Sequence, residues 1–151
     1  MRYRIVAVGG LGRGFLADGC AHYLKRLERL APTEVREVRA GKGTPDAVRA
    51  SEAASLSRLA VGRRVVLDER GRSRTTAELA EHVTARETAG DSRIALLIGG
   101  AEGTDPALRD GADEVWRLSD LTLPHELARL VLLEQLYRIE TVRAGHPYHR
   151  A

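Results

Sequence analysis

Two glycine-rich segments of the chain have spacings typical of ligand-binding loops. The first, Gly12-Arg13-Gly14-Phe15-Leu16-Ala17, fits the G-x-G-x-x-G/A pattern with which a strand-to-helix turn binds the pyrophosphate of a dinucleotide. Glu37 lies near the end of the next predicted strand, where an acid would bind the ribose, although the alternating run 34–39 is also typical of a solvated strand face. A small nicotinamide-dependent enzyme is therefore one hypothesis. The shortness of the chain counts against it, because a complete dehydrogenase needs more residues.

The second segment, Ile98 to Thr104, has the spacing Gly-Gly-x-x-Gly. This is not the dinucleotide spacing, and no Gly-Lys-Ser/Thr follows to make a phosphate loop. Glycines here would let the backbone approach a flat ligand closely and offer it bare N–H and C=O groups. A tight strand-to-helix turn without a ligand would use the same residues, so this loop alone leaves both interpretations open.

Both segments lie in a regular alternation of strand-like and helix-like runs. This alternation predicts an α/β fold, a parallel sheet with helices on both faces, in which ligands bind at the carboxyl ends of the strands. A charged loop is expected at 69–74, and Thr76 is expected to cap the third helix. The predicted strands are 3–8, 34–39, 64–67, 93–98 and 114–118, and the predicted helices are 15–30, 46–60, 76–88, a short one after Asp105-Pro106, and 124–143.

Length and composition limit the possible classes of protein. The 151 residues predict a single domain, 1–151, and no apolar run is long enough to span a bilayer. Cys20 is the only cysteine, so a disulfide within the chain or a cysteine zinc cluster is excluded. The N-terminus passes directly from Met1 into a strand-like run without a signal peptide, and the expected location is the cytoplasm.

The charges are unevenly distributed along the chain. Residues 1–74 carry a formal charge of +8 and residues 75–151 carry −5. A basic half indicates a polyanionic partner, RNA first, with Arg13 and Lys42 as the leading candidates because both lie on predicted loops. Solvated helix faces would give the same distribution of charge. A non-catalytic RNA-binding module associated with the ribosome is nevertheless a second hypothesis, beside the nicotinamide-dependent enzyme.

Four linked motifs carry a resemblance to a known family. They run through the chain in the family's order and at its length, and the opening Val6-Ala7-Val8-Gly9 and Ala40-Gly41-Lys42 also match. The chain resembles the ribosomal RNA large subunit methyltransferase H family of SPOUT methyltransferases. The motifs are Leu97-Ile98-Gly99-Gly100-Ala101-Glu102-Gly103, Leu118-Ser119-Asp120-Leu121-Thr122-Leu123-Pro124-His125, Glu134-Gln135-Leu136-Tyr137-Arg138 and His146-Pro147-Tyr148-His149-Arg150.

The resemblance implies both a fold and an activity. The fold is the SPOUT type, with a deep trefoil knot in the C-terminal part, and the protein is an obligate homodimer. The activity is transfer of a methyl group from S-adenosylmethionine to ring nitrogen 3 of a pseudouridine in helix 69 of 23S rRNA, in the assembled ribosome. Neither a metal nor a membrane partner is expected.

The resemblance also assigns cofactor-binding residues. Apolar side chains among them would enclose the adenine, and the glycines would shape the same wall. Asp120 would reach a ribose hydroxyl or the ammonium group, or would serve only as a turn residue. The expected cofactor-binding residues are Leu67, Gly99, Gly100, Gly103, Leu118, Ser119, Asp120, Leu121, Thr122 and Leu123.

The C-terminal motif supplies the expected substrate contacts. His146 and His149 titrate near neutral pH and are candidates for the base that helps to remove the imide proton, or for RNA contacts. Tyr148 is expected to stack on a base and Arg150 to pair with a phosphate. The base itself stays unassigned. His125 begins the last helix, with a capping role at least as well supported as a catalytic one.

Overall fold

The structure is a computed structural model that describes residues 1–149. The strands in this range are β1 Arg2–Val8, β2 Thr33–Val38, β3 Arg63–Ser73, β4 Arg93–Ile98 and β5 Glu114–Arg117. The helices are α1 Phe15–Glu28, α2 Pro45–Leu59, α3 Thr76–Thr88, α4 Pro106–Asp110 and α5 His125–Arg143, followed by a 3-10 helix at Pro147–His149.

The strands form one parallel sheet in the order β2-β1-β4-β3-β5. The predicted α/β fold is therefore confirmed, whereas the trefoil knot stays a prediction. Ile98 at the end of β4 is level with Ala7 of β1 and Leu67 of β3, so the loops after β1 and β4 leave the sheet beside the part of β3 that follows Leu67. None of the helices in the described range is long and apolar enough to cross a membrane.

Helices cover both faces of the sheet because successive strand residues point to opposite sides. Ile5 and Leu96 face α1, α3 and α5, whereas Val6 and Leu97 face α2 and α4. All four side chains are fully buried. Each removes apolar surface worth about 1.5–3 kcal/mol from water, and β4 at the centre is buried on both faces.

The third strand is longer than the sequence predicts. The expected strand ends at residue 67 and a loop was expected at 69–74, but β3 continues to Ser73. Leu67 and Arg72 both pair with Trp116 of β5, so residues 68–71 bulge out of the ladder. Gly71 permits this arrangement, because a Cβ there would lie 2.6 Å from the Val115 carbonyl oxygen. This part of β3 is bulged and pairs with the edge strand β5, and its side chains are charged or polar. Its sequence therefore resembles that of a loop.

The cap of α3 also differs from the prediction by one residue. Thr75, not Thr76, is the N-cap: its Oγ1 accepts from the Glu78 N–H at 3.2 Å, and its own N–H donates to Glu78 Oε2 at 2.7 Å. The Thr76 hydroxyl donates instead to Gln135 Oε1 on α5 at 2.7 Å. The predicted cap of α4 is confirmed, since Asp105 Oδ1 accepts from the Ala107 N–H at 2.7 Å.

Candidate functional site

A cavity of about 530 Å³ lies at the carboxyl ends of β4 and β5, beside the bulge of β3. This volume is within the range of about 300–1,000 Å³ that small-molecule sites occupy. Its lining comes from three segments: the bulge of β3, the glycine-rich loop after β4, and the connection from β5 into α5. An open parallel sheet places ligand sites at this edge.

Nine of the ten residues expected to bind a cofactor line this cavity. The exception is Asp120, whose side chain is 84% exposed, with Oδ1 3.6 Å from the Arg117 guanidinium. Within the structure of a single chain, Asp120 therefore faces solvent rather than the cavity. The nine lining residues are Leu67, Gly99, Gly100, Gly103, Leu118, Ser119, Leu121, Thr122 and Leu123.

The loop after β4 forms its part of the wall with backbone. A Cβ on Gly99 would lie 2.9 Å from the Gly103 carbonyl oxygen, and one on Gly100 would lie 2.9 Å from Val8 Cγ1. The Gly103 N–H donates to the Gly100 carbonyl at 3.0 Å, and Gly103 has a φ of +81°. The loop is folded onto itself and onto the sheet so closely that side chains do not fit at Gly99 and Gly100.

A buried carboxylate that the sequence analysis missed lies under this loop. Glu52 of α2 is 3% exposed, and its Oε2 accepts from the Gly41 N–H at 3.1 Å. Both carboxylate oxygens would lie 3.1 Å from a Cβ on Gly100, and Oε1 has no hydrogen-bond partner within residues 1–149. Glu52 therefore packs the loop after β2 against the loop after β4. An acid inside an otherwise ordinary helical run gave no sequence signal for this role.

A second network missed by the sequence analysis anchors the opposite wall. Asp68 accepts from the Thr104 hydroxyl at 2.5 Å and from the Arg70 N–H at 2.9 Å, and Arg109 Nη1 lies 3.6 Å from its Oδ2. Burial opposes ionisation, but these hydrogen bonds and the charges of Arg109 and Arg70 outweigh it and lower the pKa of the Asp68 carboxyl. Ionised Asp68 therefore fixes the bulge of β3 to the loop after β4.

The connection from β5 into α5 closes the third side. Arg117 Nε donates to the Ser119 carbonyl at 3.1 Å, and Ser119 Oγ accepts from the Leu121 N–H at 2.9 Å. The Leu121 side chain is 77% exposed although its residue lines the cavity. Helix α5 begins at His125 with Pro124 as the N-cap, without a side-chain cap bond. His125 lines the cavity rather than capping the helix.

Within residues 1–149, the cleft beside the first glycine-rich loop is much smaller. The cleft lined by Gly9, Gly10 and Leu11 measures only about 10 Å³, far too small for a dinucleotide. Glu37 Oε2 accepts from Nη1 of the buried Arg129 at 3.1 Å, so its carboxylate is already engaged by α5. The small cleft and the Glu37–Arg129 hydrogen bond therefore weaken the hypothesis of a nicotinamide site at this loop.

In the C-terminal segment, residues 146–151, Tyr148 lies beside the middle of α5 rather than at the cavity. The Tyr148 ring centroid is 4.6 Å from that of Tyr137, its hydroxyl donates to Glu134 Oε1 at 3.3 Å, and the Arg138 guanidinium lies 5.0 Å from the ring centroid. Burial, with hydrogen bonding to Tyr23 and the charge of Glu134, raises the pKa of Tyr148 to about 12.

The other residues of the C-terminal motif differ in how far they are described. His146 is exposed, and its Nδ1 accepts from the Tyr148 N–H at 3.2 Å. The predicted contacts of the His149 side chain and of Arg150 lie outside the described part of the chain. Within that part, no three His, Cys, Asp or Glu residues cluster as metal ligands.

Comparison with known proteins places the chain in a family. Residues 1–149 match the family model described as predicted SPOUT methyltransferase. A ribosomal RNA large subunit methyltransferase H from Thermus thermophilus is 47% identical over 150 residues, covering 99% of each chain. One from Methylibium petroleiphilum is 46% identical over 157 residues, again covering 99% of each chain.

A solved structure supports the fold independently. The structure of a probable methylase family protein from Haemophilus influenzae superposes with a TM-score of 0.56 at 14% identity, covering 99% of this chain and 70% of the other. At this identity the likeness concerns the fold alone. Together with the family model and the full-length relatives, the observations establish that the chain belongs to the ribosomal RNA large subunit methyltransferase H family of SPOUT methyltransferases.

Proposed function

We propose that this chain methylates ring nitrogen 3 of a pseudouridine in helix 69 of 23S rRNA, with S-adenosylmethionine as donor and the assembled ribosome as substrate. The observation that carries the proposal is the cavity, because nine of the ten residues that the family resemblance assigns to the cofactor meet around one space. The relatives named as ribosomal RNA large subunit methyltransferases support the substrate class. A ribosomal substrate would place the protein in the cytoplasm.

The cavity residues fit this cofactor. Leu67 and Ile98 are buried and, with Leu118 and Leu123, offer an apolar slot for a flat adenine, and the glycine loop brings backbone polar groups to its edge. The Asp68 carboxylate is held by Thr104 and Arg109 and serves to shape the wall. Asp120, exposed and 3.6 Å from the Arg117 guanidinium, is the acid that would bind a ribose hydroxyl or the ammonium group.

The chemistry is an in-line displacement at carbon. Bound S-adenosylmethionine supplies an electrophilic methyl group on a sulfonium, so the leaving group is a neutral thioether. The ring nitrogen loses its imide proton and forms the new N–C bond as the C–S bond breaks. The chain therefore has two tasks: to align nitrogen and methyl carbon, and to favour the imide anion with a base or a positive field.

The position of the C-terminal segment favours a homodimer. Tyr148 contacts Glu134, six residues along α5 from Ala128, the last residue of α5 that lines the cavity, which is about 9 Å at 1.5 Å per residue. Tyr148 therefore lies away from the cavity of its own chain. If His146 and Tyr148 contact the substrate, we expect them to do so at the cavity of a second copy.

Apolar surface near the cavity also supports a second copy. Leu127, Leu130 and Val131 of α5 are only half-buried in the single chain, and Leu121 is strongly exposed. A partner helix packed there would bury the remaining surface of these side chains. This is the expected behaviour of a helix that is apolar over most of its circumference.

The decisive experiment combines calorimetry with single-turnover methylation. We expect S-adenosylmethionine, but not NADH, to release heat of binding, and assembled ribosomes to accept one methyl group per site. Heat with NADH alone would favour the nicotinamide enzyme. Ribosome binding without S-adenosylmethionine binding would favour the non-catalytic module.

Complementation tests the contribution of a second copy. Deleting the residues after Gly145 should leave folding, dimer mass and cofactor binding intact but reduce methyl transfer at least ~100-fold, because positioning interactions are lost. Mixing this truncated chain with the full-length Gly99→Val variant should restore activity, since the mixed dimer joins one sound cavity to one sound C-terminal segment. Near-normal transfer by the truncated chain alone would remove the segment from the active site.

A further inference from the structure

Glu52 of α2 is a buried acid with few partners. It is 3% exposed, its Oε2 accepts from the Gly41 N–H at 3.1 Å, and its Oε1 has no hydrogen-bond partner within residues 1–149. Burying a carboxylate with so little hydrogen bonding opposes folding, because the charge loses its hydration. Native proteins contain few such groups, and each requires an explanation. For Glu52 that explanation is not stability.

The cations nearest to Glu52 in the sequence do not neutralise it. Arg49, one turn earlier on α2, is paired with Asp46. Arg39 and Lys42 belong to the loop after β2 and are exposed to water. In the described part of the chain, none of these three side chains forms an ion pair with Glu52. The carboxylate therefore remains an uncompensated charge inside the protein, where salt and water screen it weakly.

Glu52 lies directly behind one wall of the cavity. Gly100 lines the cavity, and a Cβ on Gly100 would lie 3.1 Å from both carboxylate oxygens of Glu52. Because Gly100 has no side chain, the carboxylate closely approaches the backbone that forms this wall. A charge acts over several ångströms through protein, more strongly than through bulk water. Glu52 therefore places a negative field in the cavity without being exposed to it.

Apart from His125, the ionisable side chains that line the cavity balance one another. Asp68 and Glu69 are matched by Arg70 and Arg117, and Asp68 Oδ1 lies 3.2 Å from Arg70 Nη1. Other acids at this edge are in contact with water, which screens their charges. They are Asp18, Glu102, Asp120 and Glu126. Glu52 therefore adds a buried negative charge to a lining that is otherwise balanced.

We propose that Glu52 makes the cavity selective for the positively charged cofactor over its neutral product. S-adenosylmethionine carries one net positive charge, because its sulfonium and ammonium outnumber its single carboxylate. Methyl transfer removes the sulfonium charge, so the product S-adenosylhomocysteine has no net charge. The field of Glu52 stabilises the bound cofactor more than the bound product and thereby favours exchange of product for cofactor. The inference rests on the proposed function for the identity of the cofactor.

Calorimetry on Glu52→Gln tests the charge. The amide has the shape of the carboxylate, and its oxygen can still accept from the Gly41 N–H. The ratio of the Kd for S-adenosylhomocysteine to the Kd for S-adenosylmethionine should fall roughly 3- to 30-fold, the order expected of one charge acting over several ångströms. Sinefungin, a cofactor analogue with an ammonium group in place of the sulfonium, should lose affinity together with S-adenosylmethionine. Equal changes for all three ligands would overturn the inference, because a residue that only shapes the wall acts on all of them alike.

Glu140→Gln is the matched control, since Glu140 is also buried but lies far from the cavity. It is 6% exposed and accepts from the Tyr3 hydroxyl at 2.6 Å and from Arg143 Nη1 at 2.5 Å. Glu140→Gln should lower the urea midpoint of the ligand-free protein, because a well-paired carboxylate is lost, and should leave the ratio of the two Kd values unchanged. Glu52→Gln should leave the urea midpoint unchanged or raise it, because an unpaired charge is removed. Glu52→Asp should keep most of the ratio, because it retains the charge.

The same measurements separate this inference from the proposed function. A wild type that binds S-adenosylmethionine but transfers no methyl group to ribosomes would refute the proposed reaction, while the ratio of Kd values would still decide the role of Glu52. A wild type that binds neither S-adenosylmethionine nor S-adenosylhomocysteine would refute the proposed cofactor and this inference with it. A Glu52→Gln chain without a cooperative urea transition would make Glu52 a structural residue and would overturn the inference alone.

Discussion

The loops after β1 and β4 are both rich in glycine and leave neighbouring strands, but their glycines are used differently. In the loop after β1, Gly12 and Gly14 have φ angles of +64° and +132°, and a Cβ on either would have no atom within 4 Å. In the loop after β4, Gly99 and Gly100 have no positive φ, yet a Cβ on either would lie 2.9 Å from another atom.

The difference shows that the spacing of glycines in a loop does not by itself indicate whether a ligand cavity lies beside that loop. The loop after β1 matches a dinucleotide pattern because its backbone needs conformations that glycine adopts cheaply. The loop after β4 matches no phosphate-binding pattern, but its close packing leaves backbone facing a cavity of about 530 Å³. The two loops differ in how closely their backbone packs against neighbouring atoms: the loop after β4 is closely packed at Gly99 and Gly100. The spacing of glycines in the sequence does not reveal this packing.

The largest effect is expected from Gly99→Val. The new side chain would meet the Gly103 carbonyl and Thr104 at 2.9 Å, so the loop must move to accommodate it. We expect S-adenosylmethionine affinity to fall at least ~100-fold and the free energy of unfolding to fall by about 1–3 kcal/mol, as for other overpacked sites. Calorimetry and urea unfolding measure the two quantities.

Gly12→Ala is the matched substitution in the other loop. Space is free there, so only the positive φ is penalised, at about 1–2 kcal/mol in unfolding free energy. Cofactor affinity should stay within twofold of the wild type. If Gly12→Ala lost cofactor binding and Gly99→Val kept it, the roles of the two loops would be the reverse of those described.

A smaller effect is expected from Asp68→Asn, which loosens the cavity wall without adding bulk. Losing the charged acceptor of Thr104 and Arg109 should lower the unfolding free energy by about 2 kcal/mol at pH 7 and weaken S-adenosylmethionine binding several-fold. The folded-state pKa of Asp68 is lowered, so its contribution is present above the unfolded value of about 3.9 and is lost as the pH falls through the lower folded value.

Urea unfolding of both proteins at pH 7 and near pH 2 checks this linkage. The stability gap between wild type and Asp68→Asn should be full at neutral pH and should shrink in acid. A gap that is equal at both pH values would mean that the Asp68 charge contributes nothing to stability.

The smallest effect is expected from Glu37→Gln. Glu37 is half-exposed, and the amide oxygen can still accept from Arg129, so the unfolding free energy should change by less than about 1 kcal/mol. S-adenosylmethionine affinity should not change. A marked loss of affinity would give Glu37 the ribose-binding role of the dinucleotide pattern and would move the cofactor to the loop after β1.

The sequence predicted most of the fold because apolar periodicity reports burial directly. The strand 93–98 has the predicted bounds of β4, and α5 ends at the predicted Arg143. The extension of β3 was missed because Asp68 to Ser73 are mostly polar, and pairing with an edge strand requires no apolar residues there. The cap at Thr75 was missed because adjacent threonines offer the same hydroxyl, and only the position of Glu78 decides between them.

The candidate site was predictable to the extent that the family motifs lie on loops at one sheet edge. Contacts between segments that are far apart in the sequence could not be predicted. Glu52 meets Gly100 across 48 residues of chain, and Asp68 meets Thr104 across 36. Such contacts depend on strand order, which periodicity does not specify. Tyr148 is a further case, since its side chain packs on α5 and not at the cavity of its own chain.

The parallel pairing of β1 with β4 determines how the cavity edge of the sheet tolerates insertions. Hydrogen bonds from Arg2 and Arg93 through Ala7 and Ile98 fix the two strand ends side by side, at about 4.8 Å between strands. A slip by one residue would turn every side chain of β1 to the other face, so this ladder is strongly constrained. Insertions within the loop after β1 would therefore change the length of the loop. The point at which the loop leaves the sheet, beside the cavity, would not move.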